Sequence, residues 1–328
     1  MSSSNIRAIL GTMEFGRRLD LERSEAMVNA FIDLQKNASC IELDTAFMYA
    51  GGKTEELMGR MDNRTLLSIQ IATKVNSWDG KLLNRDSIRK QFATSLKRLQ
   101  VPSVHLLYLH LPDHQTPITE SLEAINELHK EGKFKEFGLS NYAAWQVAEI
   151  QTICKMKSWI APTVYQGMYN CLTRMVEKEL FPCLRYYGMR FYAYNPLSGG
   201  ILTGKHKFED STKVEPGRFF GTAKWSVAYR ERFWKTEIFD AVSKIQQVLD
   251  KTYGNNTVSV AEAAYRWLYH HSLMEGKHGD GLIIGASSME QFTANMGYTT
   301  KGPLEKEVVE VIEECWAMCG YLCADYMR

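Results

Sequence analysis

Asp44, Tyr49, Lys74 and His110 are the residues of this sequence whose types suit one another chemically. Each ends or follows a short apolar run: Asp44 and Tyr49 in IELDTAFMY, Lys74 in IATK, His110 in LLYLH. A tyrosine hydroxyl, ordinarily near pKa 10, is a poor acid at neutral pH, and an adjacent ammonium favours phenolate, each tenfold gain in acidity corresponding to about 1.4 kcal/mol. Lys74 is placed to supply the ammonium, Asp44 to hold Lys74 in position and charged, and His110 to orient a carbonyl beside the tyrosine. Such a site protonates an alkoxide as it forms, which is what reduction of a carbonyl by hydride requires. Singly, each residue has an ordinary structural use: a turn or cap for aspartate, a solvated surface for lysine, half-buried packing for tyrosine. The chemical reading depends on their convergence.

The elements that must bring them together are eight short apolar or alternating runs: IRAILGT, SCIELDT, LLSIQIATKV, VHLLYLH, KEFGLS, PTVYQGM, RFYAYNP and GLIIGAS. Helical periodicity lies between and after them at 21–36, 53–61, 84–99, 119–131, 143–157, 174–187, 258–270 and 289–296. This alternation predicts parallel strands with right-handed crossovers, and eight repeats predict closure into a (β/α)8 barrel, in which the C-terminal strand ends share one site. An open doubly wound sheet with an appended domain is the alternative. No Pro/Gly/Ser-rich linker divides the chain, so residues 1–328 are expected to form a single domain. The longest irregular stretch, 206–226, contains RFFGTAKW after strand seven; loops of this length usually cover or bind something. A last helical segment, 304–322, and a short tail follow the eighth unit.

Composition narrows the class. Lys plus Arg number 39 against 38 Asp plus Glu, a formal net charge of +1, which argues against a nucleic-acid binder. With 45% hydrophobic residues and 14 Phe, 16 Tyr and 7 Trp, disorder is excluded. No apolar run approaches the ~18 residues of a membrane helix, and MSSSNIRAIL lacks a basic start followed by an apolar core. A cytoplasmic protein with reduced cysteines is expected from the 7 Cys without regular pairing.

Other motifs carry less. GGILTGKH falls one residue short of a phosphate-binding GxxxxGK[ST], with His206 where the magnesium-holding hydroxyl belongs. YAGGK has the YxxxK spacing of short-chain dehydrogenases, but Gly51 and Gly52 oppose the helix that would align Tyr49 with Lys53. GTMEFG has the wrong spacing for a dinucleotide fingerprint. Cys315, Cys319 and Cys323 recur every four residues, as buried packing does far more often than metal ligation, and His270 and His271 are adjacent and point apart. No metal is expected.

LDTAFMYAGGKTEELMG, IATK, YLHLPD, GLSN and VYQGMYN resemble the signatures of the aldo-keto reductase superfamily over nearly the whole chain. YQGMYN, FYAYNPLSGGILTGK, GRFFG and GASSMEQ are most similar to its aflatoxin-aldehyde and succinic-semialdehyde reductase branch. The resemblance implies a (β/α)8 barrel that binds NADPH across the strand ends without a Rossmann domain. It implies Tyr49 as acid, Lys74 lowering its pKa, Asp44 pairing with Lys74, and His110 contacting the carbonyl. Ser140, Asn141 and Gln166 match positions gripping the nicotinamide carboxamide, and Tyr194 the aromatic stacked on that ring. Asn195, Pro196, Leu197, Ser198, Gly199, Gly200, Leu202, Gly204 and Lys205 match the segment wrapping the pyrophosphate. Ser287, Ser288, Gln291 and Asn295 match the segment holding the 2′-phosphate and adenine. Gln291 stands where many members have an arginine and supplies no charge, so the cation is expected from Arg218 and Lys205.

The resemblance also implies that Tyr229, Arg232 and Arg328 meet the acidic end of a short aldehyde such as succinic semialdehyde; for SVAYRERFWK the alternative is an amphipathic helix with solvated arginines. A homodimer is implied by the branch, although no residue here marks an interface. A second class of function, a channel-associated regulatory subunit with slow chemistry, retains the same tetrad in barrels that resemble this one.

Overall fold

In the computed structural model, which describes residues 6–38, 40–62, 69–212, 218–220 and 224–327, strands β1 (Arg7–Gly11), β2 (Glu42–Asp44), β3 (Gln70–Val75), β4 (Val104–Leu109), β5 (Phe134–Ser140), β6 (Pro162–Met168), β7 (Arg190–Tyr194) and β8 (Gly281–Gly285) pair in sequence order, all parallel. β8 returns to β1 in register from Arg7 opposite Gly281 to Gly11 opposite Gly285, which closes the barrel and leaves no sheet edge.

Side chains alternate along each strand, so two cores form. Inside the barrel, Ile9, Ala72, Leu106, Tyr108, Val164, Tyr192 and Ile283 pack together. The intervening residues, such as Leu107, Leu109 and Phe137, meet the helices. The interior tyrosines fit because glycine faces them: a Cβ on Gly138 would lie 2.4 Å from the Tyr108 ring.

The crossovers are α1 (Leu21–Leu34), α2 (Lys53–Met58), α3 (Arg85–Leu99), α4 (Ile118–Lys130), α5 (Ala144–Lys157) and α6 (Leu180–Tyr186), the last preceded by a 3-10 turn at Met175–Glu177. Polar caps start several of them: Asp20 accepts from the Arg23 amide and Asn84 from the Ser87 amide. After β7 come a 3-10 segment at Ser198–Thr203, another at Phe208–Thr212, then α7 (Lys224–Phe233), α8 (Thr236–Tyr253) and α9 (Val260–His270). Unit eight ends with α10 (Met289–Tyr298), and α11 (Lys306–Cys319) packs along α8.

The structure departs from the sequence expectations after β7. Helix α8 is additional to the eight helical segments, with Ile238, Phe239, Val242, Ile245 and Leu249 buried along one face of it. Within the stretch 206–226, the described residues include a 3-10 segment at Phe208–Thr212, and Phe219 is buried against His206, Tyr229 and Trp234, while 213–217 and 221–223 lie outside the described residues. Among the described residues no helix is long and apolar enough to cross a membrane, and no cluster of three metal-ligating side chains occurs. All seven cysteines are free thiols; Cys315 and Cys319 are buried on α11, and Cys323 donates to the carbonyl of Leu172.

Candidate active site

Glu42 and Asp44 stand two apart on β2, so both face the barrel interior while Leu43 joins the outer core. Lys74, on β3, is fully buried beside them. Its ammonium donates to Asp44 Oδ1 at 2.6 Å, to the carbonyl of Thr45 at 2.7 Å and to the Tyr49 hydroxyl at 3.4 Å. All three ammonium donors are therefore used, and one of them reaches the phenol. His110 follows β4; its ring lies edge-on to Tyr49, centroids 6.2 Å apart, and 5.2 Å from the Trp78 ring. The four polar residues that the sequence singled out thus meet at the C-terminal mouth.

Burial pulls Lys74 below its ordinary pKa and lifts Asp44 above its own, each opposed by the partner's charge. Tyr49 lies well above its ordinary value, first through desolvation, then through the negative charge of Asp44 and the neighbouring phenols of Tyr229 and Tyr194, with Arg218 acting the other way. The net displacement is thus the reverse of the lowering expected from Lys74. In this structure Tyr49 is held as the protonated donor.

Around this centre the remaining positions join into networks. Gln166 Nε2 donates to Asp44 Oδ2 at 2.8 Å. Asn141, at φ 64°, donates from Nδ2 to the His110 carbonyl at 2.8 Å and to Ser140 Oγ at 3.0 Å, and accepts from the Tyr194 hydroxyl at 2.8 Å. These bonds fix Ser140, Asn141, Gln166 and Tyr194 along one side of the mouth.

The segment from Asn195 to Gly204 turns sharply, with positive φ at Asn195, Ser198, Gly199, Gly200 and Gly204. Asn195 Nδ2 and Ser198 Oγ are buried without a hydrogen-bond partner among the described residues. Buried polar atoms in that state cost about 1–3 kcal/mol each unless a ligand satisfies them, so this concave turn suits the oxygens of a pyrophosphate. Tyr229 covers it: a Cβ on Gly199 would lie 2.8 Å from the Tyr229 ring, whose hydroxyl donates to Asn195 Oδ1 at 3.3 Å. Across β8, Ser288 caps α10 through the Gln291 amide, Gln291 Oε1 accepts from Ser287 Oγ at 2.9 Å, and Asn295 Nδ2 donates to the carbonyl of Gly285 at 3.3 Å.

The arginines are arranged about Tyr229 and Glu14. The guanidinium carbons of Arg218 and Arg232 lie 5.4 and 5.9 Å from the Tyr229 ring centroid. Arg218 also donates to Glu14 Oε1 at 2.7 Å, and Arg17 and Arg18 approach the same carboxylate at 3.4 and 3.6 Å. The helix considered for SVAYRERFWK does form, packing Tyr229 against Phe233, yet Arg232 turns back over Tyr229. Arg328 lies outside the described residues, while the tail before it is tied down by Tyr326, whose hydroxyl accepts from the Ala144 amide at 3.0 Å. YAGGK is a 3-10 turn, Tyr49–Gly52, and not one face of a helix.

Residues 7–317 match the family model described as the aldo/keto reductase family. The chain belongs to the aldo/keto reductase family. It is 53% identical over 324 residues to aflatoxin B1 aldehyde reductase member 2 of Rattus norvegicus, covering 98% of this chain and 87% of that protein. It is 49% identical over 330 residues to aflatoxin B1 aldehyde reductase member 4 of Homo sapiens, covering 99% and 98%, and 48% identical over 332 residues to human aldo-keto reductase family 7 member A3, covering 100% and 99%. As an aldo/keto reductase the protein is an oxidoreductase, and the turn at Asn195–Gly204 fits the nicotinamide dinucleotide that such enzymes generally use.

Sequence reasoning missed two parts of this reductase's mouth. Trp78 packs on His110, and its only signal was a tryptophan three residues beyond a strand. Glu14, inside the discarded GTMEFG, gathers the three arginines; a glutamate preceding Arg17 and Arg18 was the signal available.

Proposed function

We propose that the protein reduces aldehydes to alcohols with NADPH, acting on short aldehydes that carry a carboxylate or a second carbonyl, of the succinic semialdehyde and aflatoxin dialdehyde type. The observation that carries the reading is the Tyr49 hydroxyl 3.4 Å from the buried Lys74 ammonium, with the His110 ring edge-on beside it. Two of the relatives are named aflatoxin B1 aldehyde reductases, which gives an aldehyde as the substrate of those proteins.

When bound, the nicotinamide cofactor would supply the hydride. The chain does the rest. His110 orients the carbonyl oxygen toward Tyr49, and Tyr49 passes its proton to that oxygen as charge develops there. Lys74 stabilises the phenolate left behind, and Asp44 and Gln166 keep Lys74 in place. Ser140, Asn141 and Gln166 would hold the carboxamide and Tyr194 the face of the ring. Asn195, Pro196, Leu197, Ser198, Gly199, Gly200, Leu202, Gly204 and Lys205 would hold the pyrophosphate, and Ser287, Ser288, Gln291 and Asn295 the adenosine end. Arg218 and Lys205 supply the cation that Gln291 lacks. Tyr229, Arg232 and Arg328 recognise the acidic end of the substrate. A cytoplasmic location and a homodimer complete this reading, and light scattering on the purified protein tests the dimer.

The decisive experiment follows NADPH oxidation against a panel of aldehydes for wild type and Tyr49→Phe. Loss of turnover with intact cofactor binding is the expected result, and retained turnover overturns the mechanism.

A further inference from the structure

Tyr49 opens a 3-10 turn whose next residues lie in the left-handed region: Ala50 at φ 50°, Gly51 at 66° and Gly52 at 99°. An alanine in that region is strained, and such a turn keeps its shape only through what is packed on it. Packed on it is Arg98, from the last turn of α3. Its Nη1 donates to the Phe47 carbonyl at 3.1 Å and to Glu55 Oε2 at 3.3 Å, and its guanidinium carbon lies 4.7 Å from the Phe47 ring centroid. A Cβ on Gly52 would fall 2.3 Å from that carbon, so a larger residue there displaces the guanidinium from the turn. The base of Arg98 is fixed as well: Gly59, ending α2, approaches so closely that a Cβ there would sit 2.0 Å from the Arg98 carbonyl oxygen.

Glu55 links this clamp to the lysine. It is fully buried on α2, and its Oε1 accepts from Thr73 Oγ1 at 2.7 Å. Thr73 immediately precedes Lys74 on β3, and the Phe47 amide donates to the Lys74 carbonyl at 3.1 Å. The turn carrying the phenol and the strand carrying the ammonium are thus tied through one guanidinium and one carboxylate. Arg98 and Glu55 therefore reach the tetrad through the backbone of Phe47 and of β3.

We propose that Arg98 and Glu55, with Thr73, are positioning residues that set the separation between the Tyr49 hydroxyl and the Lys74 ammonium. That separation, 3.4 Å, already stands at the long end of hydrogen bonding, so a small drift of the turn removes the contact. The proposal rests on Tyr49 acting as the acid. The groups facing the phenol are Lys74 on β3, Asp44 on β2, His110 after β4, Tyr194 on β7, and Arg218 and Tyr229 beyond it. Of these, Lys74 is the one whose strand is tied directly to the clamp, through Thr73 and Glu55.

The test compares Arg98→Ala, Thr73→Val and Thr73→Ser with wild type and with Tyr49→Phe, measuring kcat, KM, cofactor affinity by fluorescence titration, and the pH profile of reduction. Arg98→Ala should lose about ten- to a hundredfold in kcat, the scale of an ångström's misplacement, at nearly unchanged cofactor affinity. Its alkaline limb should move to higher pH, because a tyrosine that has lost its ammonium neighbour is a weaker acid. Millimolar guanidinium, far below denaturing concentrations, should restore both. Thr73→Val, which removes one hydroxyl, should shift the limb the same way, and Thr73→Ser should not. Wild-type kcat and pH profile in folded Arg98→Ala and Thr73→Val proteins overturn the clamp while an inactive Tyr49→Phe keeps the acid assignment. An active Tyr49→Phe overturns the assignment itself and the clamp with it.

Discussion

Gln166 and Asp44 stand 122 residues apart in sequence and 2.8 Å apart in space, Nε2 to Oδ2, so the carboxylate that takes a hydrogen bond from Lys74 on one oxygen is held on the other by an amide. A buried carboxylate needs both, since each unmet lone pair in the interior carries a desolvation cost.

Replacing Gln166 with leucine removes that second donor at nearly equal volume. The buried Asp44 oxygen is then unsatisfied, which costs about 1–3 kcal/mol. Urea denaturation of Gln166→Leu should show this loss. Steady-state kinetics should show a lower kcat together with a higher KM for NADPH, because the same side chain serves the tetrad and the proposed carboxamide site. An unchanged KM for NADPH would remove Gln166 from the cofactor site and leave it as a support for Asp44.

The barrel interior holds another acid beneath this pair. Glu42 is buried, accepts from the Tyr192 hydroxyl at 3.1 Å, and is pushed up from 4.5 to about 7, first by burial and then by the charge of Asp44. The folded state therefore keeps a proton that the unfolded chain releases near 4.5. The stability this contributes is complete below that value and lost as pH rises through about 7, up to about 3 kcal/mol in all. Melting temperatures of wild type should fall between pH 5 and 8 by more than those of Glu42→Gln. Parallel curves would show that Glu42 is already ionised in the fold.

Which parts of this were legible beforehand follows from range. The eight strand runs and the tetrad were readable because each is a local pattern, and a parallel barrel brings every strand end to one rim whatever the loops do. Helix α8 escapes such a reading because the eightfold alternation is complete without it, although its apolar spacing is as regular as that of α1. The Glu14–Arg218 pair spans 204 residues, and nothing local to either residue announces that the two meet. Whether Tyr49 becomes a stronger or a weaker acid depends on how many neighbours exclude water from it, which spacing does not encode.

Arg218 is held by Glu14 through one nitrogen, and a guanidinium has further donors in its fork. If these serve the 2′-phosphate, Arg218→Ala should raise KM for NADPH by about tenfold or more, as expected for a charge-assisted pair, and change KM for NADH far less. Glu14→Gln should weaken the anchorage of the loop and leave the NADPH to NADH ratio nearly as it was. Equal losses for both cofactors in Arg218→Ala would assign the arginine to loop anchoring alone.

Arg232 offers the sharpest test of substrate choice. Its guanidinium lies over the Tyr229 ring, and that ring rests on Gly199 with its hydroxyl bonded to Asn195, so the arginine is held at the edge of the same mouth. A guanidinium so placed favours an anionic substrate end by about 1.5–3 kcal/mol and is indifferent to a methyl group. In Arg232→Gln, kcat/KM for succinic semialdehyde should therefore fall by about ten- to a hundredfold while that for butanal stays within about twofold. Comparable kcat/KM for the two aldehydes in wild type would sink the acidic-substrate reading, because the arginines around Tyr229 would then be contributing nothing that a neutral chain does not also receive.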